Sequence, residues 1–503
     1  MGLSGGKFNM RSLLPRSARK AQNRLGVIAG KFSQLGGDPL AVFASDRWRR
    51  AQLEMFDAYY EKRQYDHLPH WDVASSNKQD DYVPVRERRP RINYNFAKVL
   101  TSRVASRLVG EDTFPTFTIP EDPDTEAFFR VVDKAANLKA FLMEPTRRCL
   151  NAGSGFVRFF FFEGKLVLEH YLSKFCYPVL NRAGELQSVT IKYVFDDDED
   201  RDENGVPRAK WYKLELGMMA DILYDNPLYD PEAGEPVFEE VARAEHNLGF
   251  VQGEWFRISE DVNSIDGTSL ITDLTDFIDE MNYNLSQSSQ AIGYNQDPQL
   301  IINGMDSEEL AELVKSSTRG WNLGRDGKAQ FIEGTMNGVK SAGEFRDKIS
   351  LHMHNLARIV FHDPEKMNAQ ALSGKAMEIM NGPLVELVQE LRPVFEKPLV
   401  ALKSKMALAM LILRDRGEPI PVNMPDNFYP KTMSLTTTWP PVFPRTIVDL
   451  KEKSAVANLV GTGNLISRET LTRWLAKDFD VEDVEAEIAK IAAQPVINPF
   501  SGF

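Results

Sequence analysis

Leu270-Ile-Thr-Asp-Leu-Thr-Asp-Phe-Ile-Asp-Glu-Met-Asn-Tyr-Asn-Leu-Ser-Gln-Ser-Ser-Gln-Ala-Ile292 decides how this chain of 503 residues is read. Leu270, Leu274, Phe277, Met281, Leu285 and Ile292 recur at helical intervals. They draw one apolar seam along a helix of about 35 Å at 1.5 Å per residue. Asn282, Asn284, Ser286, Gln287, Ser288 and Gln290 occupy the rest of the surface. The spacing therefore predicts a helix that packs beside others like it and keeps a wet face. Phe345, Ile349, Met353, Leu356 and Val360 repeat the pattern.

Between the two seams, Pro298 to Gly338 reads as strand (Gln299-Leu-Ile-Ile), helix (Ser307 to Ser317, with Ser307 as N-cap) and strand (Lys328-Ala-Gln-Phe-Ile). A segment of ~40 residues is marginal alone, so this unit is expected to need neighbouring subunits. Downstream, His362 to Gly374 is a loop, and a long helical pattern continues to Arg416 through Pro383, Pro393 and Pro398. Each proline removes an amide donor, which predicts a kink or break there. A strand at Thr432–Trp439 and helices at Thr446–Val460, Ser467–Ala476 and Val481–Ala492 close the chain. Upstream, helices are predicted over Asp46–Arg63 (Trp48, Leu53, Phe56, Tyr60) and Ile92–Val109, the second ended by Gly110 as a left-handed C-cap. Runs rich in β-branched and aromatic residues at 155–162, 165–169, 189–194 and 211–216 make a β-rich unit between them. No internal repeat of fixed period is present.

Composition excludes several classes. Apolar residues make up 43% and charged residues 26%, as in an ordinary globular protein. The longest apolar run, Leu399–Leu413, carries Lys403 and Lys405, so no membrane span is expected. Two cysteines, Cys149 and Cys176, are too few for a disulfide scaffold or a thiolate zinc site and fit a reducing compartment. The net charge of -12 argues against a tight grip on nucleic acid, which needs clustered cations on phosphates. Residues 1–37 run against that balance, with no Asp or Glu and seven Lys or Arg, and read as a basic flexible arm.

Catalytic and metal motifs fail on inspection. Gly2-Leu-Ser-Gly-Gly6 has no strand before it, as a nucleophile elbow requires. Ser373-Gly-Lys375-Ala376 ends like a phosphate loop, yet Ala369 stands where the first glycine belongs and Ala376 replaces the hydroxyl. Asp200, Asp202, Asn204 and Gly205 match part of a calcium loop, but Trp211 stands where a bidentate Glu is needed, so a solvated hairpin tip is expected. His352 and His354 lie two apart and point in different directions on a helix. No catalytic residue, cofactor or metal is assigned.

The order of seam helix, strand–helix–strand unit, seam helix, loop and interrupted helix resembles the portal proteins of tailed bacteriophages, particularly of siphovirus type. Local strings agree. Ile92-Asn-Tyr-Asn-Phe-Ala-Lys-Val-Leu through Gly110 resembles the family's early helix, and Gly153-Ser-Gly-Phe-Val-Arg its first wing strand. Asp266-Gly-Thr-Ser-Leu, with Asp276, Asn282 and Ser286, resembles the entry into its stem helix. Phe361-His-Asp-Pro with Ala371-Leu-Ser-Gly-Lys-Ala is similar to the tunnel-loop region, and Gly463-Asn-Leu-Ile-Ser-Arg-Glu-Thr-Leu to the start of a crown helix.

The resemblance implies an α+β, mainly helical fold, with wing, stem, clip and crown regions in a ring of usually twelve subunits. It places a wing at 38–262, with the β-rich unit at 153–258, stem helices at 263–293 and 339–361, and the clip at 294–338. A tunnel loop would span 362–375, a kinked helix and wing strand 376–446, and crown helices 447–503. Implied channel residues are Lys340, Arg346, Lys348 and Arg358 on the stem, with Lys366, Asn368 and Gln370 on the tunnel loop. Lys315, Arg319, Arg325 and Lys328 would dock partners at the clip. Implied partners are double-stranded DNA, the terminase large subunit, the major capsid and scaffolding proteins and a head–tail connector. The expected location is a capsid vertex of the virion, with assembly in the host cytoplasm. The rival readings are another virion component, such as a capsid or baseplate protein, and a packaging nuclease or ATPase.

Overall fold

The computed structural model describes residues 44–71, 83–119, 122–201, 207–226, 238–259, 264–296, 299–303, 328–332, 337–360, 374–425, 428, 435–443, 451, 453–457, 467–476 and 484–493. Five helices open it: α1 (Ala44–Tyr60), α2 (Phe96–Leu108), α3 (Pro123–Ala135), α4 (Leu138–Phe141) and α5 (Met143–Ala152). Side-chain caps set two of their starts. Asn95 accepts from Lys98 N at 3.0 Å before α2, and Asp122 accepts from Thr125 N at 3.0 Å before α3, where Pro123 sits in the first turn.

Two expectations need correction here. Residues 92–95 are not helical, because Asn95 caps α2 and the backbone before it turns to bond elsewhere. Gly110 is not left-handed. It is glycine for space, since a Cβ there would lie 2.1 Å from the Ser106 carbonyl oxygen.

Eight strands fill the predicted β-rich unit. β1 (Thr116–Thr118) precedes them. β2 (Ser154–Phe162) and β3 (Lys165–Leu172) form a hairpin whose turn places Glu163 and Gly164 at positive φ. β4 (Cys176–Leu180), β5 (Leu186–Arg201), β6 (Pro207–Leu216), β7 (Ala220–Asn226) and β8 (Glu239–Glu245) make an antiparallel sheet in that order. β9 (Gly253–Arg257) returns to pair with β2, giving a second sheet ordered β3-β2-β9. The inward faces meet in an apolar cluster of Phe156, Cys176, Val189, Ile191, Leu216, Val251 and Trp255. β4, β7, β8 and β9 lack the run of apolar residues that marked the others, and every residue of β8 is exposed.

α6 (Thr275–Gln296) follows, then β10 (Gln299–Asn303) paired antiparallel with β11 (Lys328–Ile332), then α7 (Asn337–Leu356). Residues 304–327, with the predicted Ser307–Ser317 helix, lie outside the described residues. α8 (Gly374–Met380) and α9 (Gly382–Asp415) come next, then β12 (Thr436–Thr438), which pairs with β1. α10 (Arg468–Ala476) and α11 (Val484–Ala493) end the described chain.

The helical pattern breaks only before Pro383, where Asn381 caps α9, and α9 runs through Pro393 and Pro398. Packing outweighs the lost amide donors. Leu391, Phe395, Pro398, Leu399 and Leu402 are all buried on the face that presses into the main core. That core joins α9 to Leu100, Val104 and Leu108 of α2, Phe128, Phe129 and Val132 of α3, Ile278 of α6 and Met353 of α7.

Candidate functional site

The α6–α7 pair rises from the main core, and its foot is fixed before the helix begins. Arg49 of α1 holds Asp266 with two charged hydrogen bonds, 2.5 and 2.9 Å, and also donates to the Cys176 and Ser173 carbonyls. Ser154 donates to Asp266 at 2.5 Å. The next residues cap the C-terminus of α5: Leu270 N donates to the Leu150 carbonyl, Ser269 Oγ to that of Asn151 and Gly267 N to that of Gly153. One turn thus ties α1, α5 and both sheets to the start of α6.

Above that foot, α6 keeps only a narrow wet strip, through Asp276 and Gln287, and much of its polar surface is covered. Ile278 and Met281 are buried toward the core, but Asn282 and Ser286 are fully buried as well, and Asp279 is 6% exposed. Their partners are the extended residues 92–94 and two tyrosines. Asn282 Oδ1 accepts from Tyr94 N at 2.8 Å, and Ser286 Oγ accepts from Ile92 N at 3.0 Å. Asp279 accepts from Tyr59 and Tyr65 hydroxyls at 2.9 and 2.7 Å. Tyr283 donates to the Arg86 and Arg88 carbonyls, and Trp71 to Gln290. Sequence reasoning missed this clamp. Its signal was the type of polar residue: amides, hydroxyls and one carboxylate at 279, 282, 286 and 290, without the Lys and Glu of a solvated face.

Replacing Asn282 with Leu should strand the Tyr94 amide and leave Tyr65 and Asn93 short of a donor, at about 1–3 kcal/mol. Amide exchange at residues 92–94 should accelerate in that variant. Unchanged protection there would show that the strap is held by other contacts.

α7 returns along α6 and buries Ile349 and Met353 against the core. The rest of the predicted seam is not buried: Phe345 is 50% and Leu356 52% exposed, with Leu351 at 59%. A single chain leaves these apolar groups in solvent, which marks a surface made for covering. The Lys340, Glu344 and Lys348 row, spaced four apart, is exposed on the side away from Ile349 and Met353.

The profile of the family "Phage portal protein, SPP1 Gp6-like" matches residues 42–495. The chain belongs to that portal family. Among curated proteins no sequence matches. Solved structures with a similar chain include the neck of a native gene transfer agent (GTA) particle computed with C12 symmetry. That neck chain is 10% identical, covering 75% of this chain and 88% of the other, with a TM-score of 0.37. In the neck of the empty GTA particle with C6 symmetry the values are 11%, 76%, 88% and 0.36. In the virion of the native GTA particle they are 12%, 64%, 82% and 0.34.

The portal family is structural rather than enzymatic, and a portal or connector function follows from membership. Within this portal chain the charged residues named from sequence are not equivalent. Lys340 and Lys348 are exposed on α7. Arg346 lies 3.4 Å from Asp347, while Arg358, at φ 52, pairs with Glu390 of α9 at 2.7 Å. Arg358 is therefore a tie between the end of α7 and α9 as placed here. Lys328 stands on β11 opposite Asn303. Lys315, Arg319, Arg325, Lys366, Asn368 and Gln370 lie outside the described residues.

His352 is exposed, and His354 packs its ring 6.0 Å from that of Phe96. Both cysteines are buried free thiols, and burial pushes each well above the usual range. No group of three or more His, Cys, Asp or Glu among the described residues is placed to hold a metal, and no described helix is long and apolar enough to cross a membrane.

Strand β3 carries an acid-sensitive group, His170. Burial, aided by Arg148, lowers His170 to about 4, and its Nε2 is buried with no hydrogen-bond partner. The folded state keeps this imidazole neutral, while the unfolded chain takes a proton below its ordinary value of 6.5. Stability should fall as pH drops from 6.5 toward 4, by up to ~3 kcal/mol. Unfolding midpoints across that window should be flatter in His170→Phe. An equal slope in both proteins would place the acid sensitivity elsewhere.

Proposed function

We propose that this chain is the subunit of a ring, of twelve copies, through which double-stranded DNA enters and leaves a capsid. The observation that carries the reading is the α6–α7 pair. It is clamped at its foot and along α6, yet leaves Phe345, Leu351 and Leu356 uncovered on α7 beside a row of two lysines and a glutamate. Neighbouring copies would cover the apolar groups, and the charged row would face the duplex. Two cations and one anion per copy suit passage rather than capture, because each neutralised phosphate adds affinity through counterion release. The overall charge of -12 repeated around a ring keeps that field weak or repulsive.

In this reading β10–β11 belongs to the clip and meets the terminase large subunit during packaging and a head–tail connector afterwards. Lys315, Arg319, Arg325 and Lys328 supply its charge. The loop 362–375, with Lys366, Asn368 and Gln370, approaches DNA at the narrowest point. Capsid and scaffolding proteins contact the outside of the ring at one vertex of the virion, after assembly in the host cytoplasm. No catalysis is assigned.

The test is Lys340→Glu with Lys348→Glu, scored as DNA content of assembled particles beside micrographs of isolated rings. Rings should form normally, because neither side chain packs on α6, and DNA content should fall as two charges change sign in each copy. Normal DNA content in particles built on normal rings would remove this face from the channel.

A further inference from the structure

The three-stranded sheet ends at β3, whose outer edge has no strand beside it among the described residues. A cleft of about 640 Å³ runs along that edge, and Lys165, Leu166, Val167 and Leu168 all line it. Successive side chains of a strand point to opposite faces, so four consecutive lining residues show that the cleft meets the edge of the strand rather than a face. Among the described residues, the backbone of 165–168 bonds to β2 and to nothing else. The opposite wall is the corner between α3 and α4. Asn137 turns the chain there at φ 48, and positions 135, 136 and 140 on that wall are all alanine. These small residues leave the outward amides and carbonyls of β3 open along four residues, about 13 Å at 3.3 Å each.

The charge beside this edge has one sign. Lys165 is exposed, and so are Lys134 and Lys139, which flank the alanines in the chain. None of the three has an acid partner among the described residues. No acid lines the cleft, since Glu163 sits in the hairpin turn and off the lining. A lysine on an edge strand opposes pairing with an identical edge, where like charges would meet. A second copy of β3 is therefore a poor occupant, whereas an acidic strand gains from the same lysines.

We propose that the edge of β3 takes up an extended, acidic segment of another protein as a fourth strand. Main-chain hydrogen bonds supply the affinity, and the lysines select the charge of the incoming strand. This contact does not depend on ring closure.

Peptide binding to the full chain tests it. The probe is a fluorescent, acetylated eight-residue peptide that alternates valine with glutamate, and binding is read as anisotropy. Saturable binding is expected. The same peptide with lysine for glutamate should bind roughly tenfold or more weakly, and so should the acidic peptide N-methylated throughout, which cannot donate to β3. Ala140→Trp, which fills the cleft, and Lys165→Glu should each weaken the acidic peptide by a similar factor. Both positions are exposed, so unfolding midpoints should stay at the wild-type value. An acidic peptide that does not bind overturns the proposal. Equal binding of the methylated peptide does so too, because charge alone then holds it, and two indifferent variants would place the contact elsewhere and overturn it as well. A peptide that binds the dispersed chain but is shut out of assembled rings would give the edge to a second copy, again overturning it.

Discussion

Asp133→Ala is expected to destabilise the chain by about 3–5 kcal/mol, because it strands a buried ammonium. Lys403, on α9, has a side chain with no exposed area, and its one carboxylate partner among the described residues is Asp133 of α3. The ammonium also lies 3.9 Å from the ring centre of Phe117 and 5.5 Å from that of Phe129. The rings attract the charge but cannot replace its counter-ion. Burial lowers Lys403 from its ordinary value of 10.5 while Asp133 pulls the other way, and burial likewise raises Asp133.

Without Asp133 the folded state should release the Lys403 proton at still lower pH than it does now. The unfolded chain then binds more protons than the folded one below 10.5, so the deficit should narrow as pH rises toward that value. Adding Lys403→Met to the alanine variant should recover most of the loss, since an apolar group of similar length fills the same space. Unfolding midpoints in denaturant measure all three proteins. An alanine variant as stable as the wild type would mean that water or another group compensates Lys403.

Gly153→Ala should be as damaging, and for a backbone reason. Gly153 sits at φ 92 between α5 and β2, where its amide closes on the Cys149 carbonyl and its own carbonyl accepts from Ile258 and Gly267. A Cβ at 153 would lie 2.1 Å from the Gly267 carbonyl oxygen and 2.7 Å from its carbon. Both are backbone atoms and cannot rotate aside. The turn that starts α6 would have to lift off α5, taking the Asp266 staple with it. Gly249→Ala is the control, because φ there is 82 but nothing lies within 4 Å of the added carbon. Left-handed strain alone costs about 1–2 kcal/mol. The excess loss in the first variant reads the close crossing of the two chains, so equal midpoints for the two variants would contradict that role.

The fold was legible where one physical rule acts alone. Leu274, just before α6, and Met281 on it, with Ile349 and Met353 on α7, are buried as their spacing predicts, and the strand runs at 155–162 and 189–194 pair as expected. It was less legible where local rules compete with packing. Asn282 and Ser286 read as solvated from their polarity, yet the 92–94 backbone, 188 and 194 residues away in sequence, needs their side chains. Pro393 and Pro398 read as kinks or breaks, and the helix is not broken there, because the buried face of α9 carries it through them. Phe345 and Leu356 fit the apolar period but are exposed, since period alone does not say whether the covering surface belongs to the same chain.

The candidate site was legible only in part. Lys340 and Lys348 are exposed on α7, whereas Arg358 has an acid partner on α9 that no local pattern announces. The family's order of elements was the stronger signal, because it depends on the succession of many weak patterns rather than on any one residue.

Native mass measurement of the purified full chain, with electron micrographs of the same sample, tests the central claim most directly. The account predicts closed rings of one subunit number with a central opening at micromolar concentration. A chain that remains monomeric at every salt concentration would contradict it.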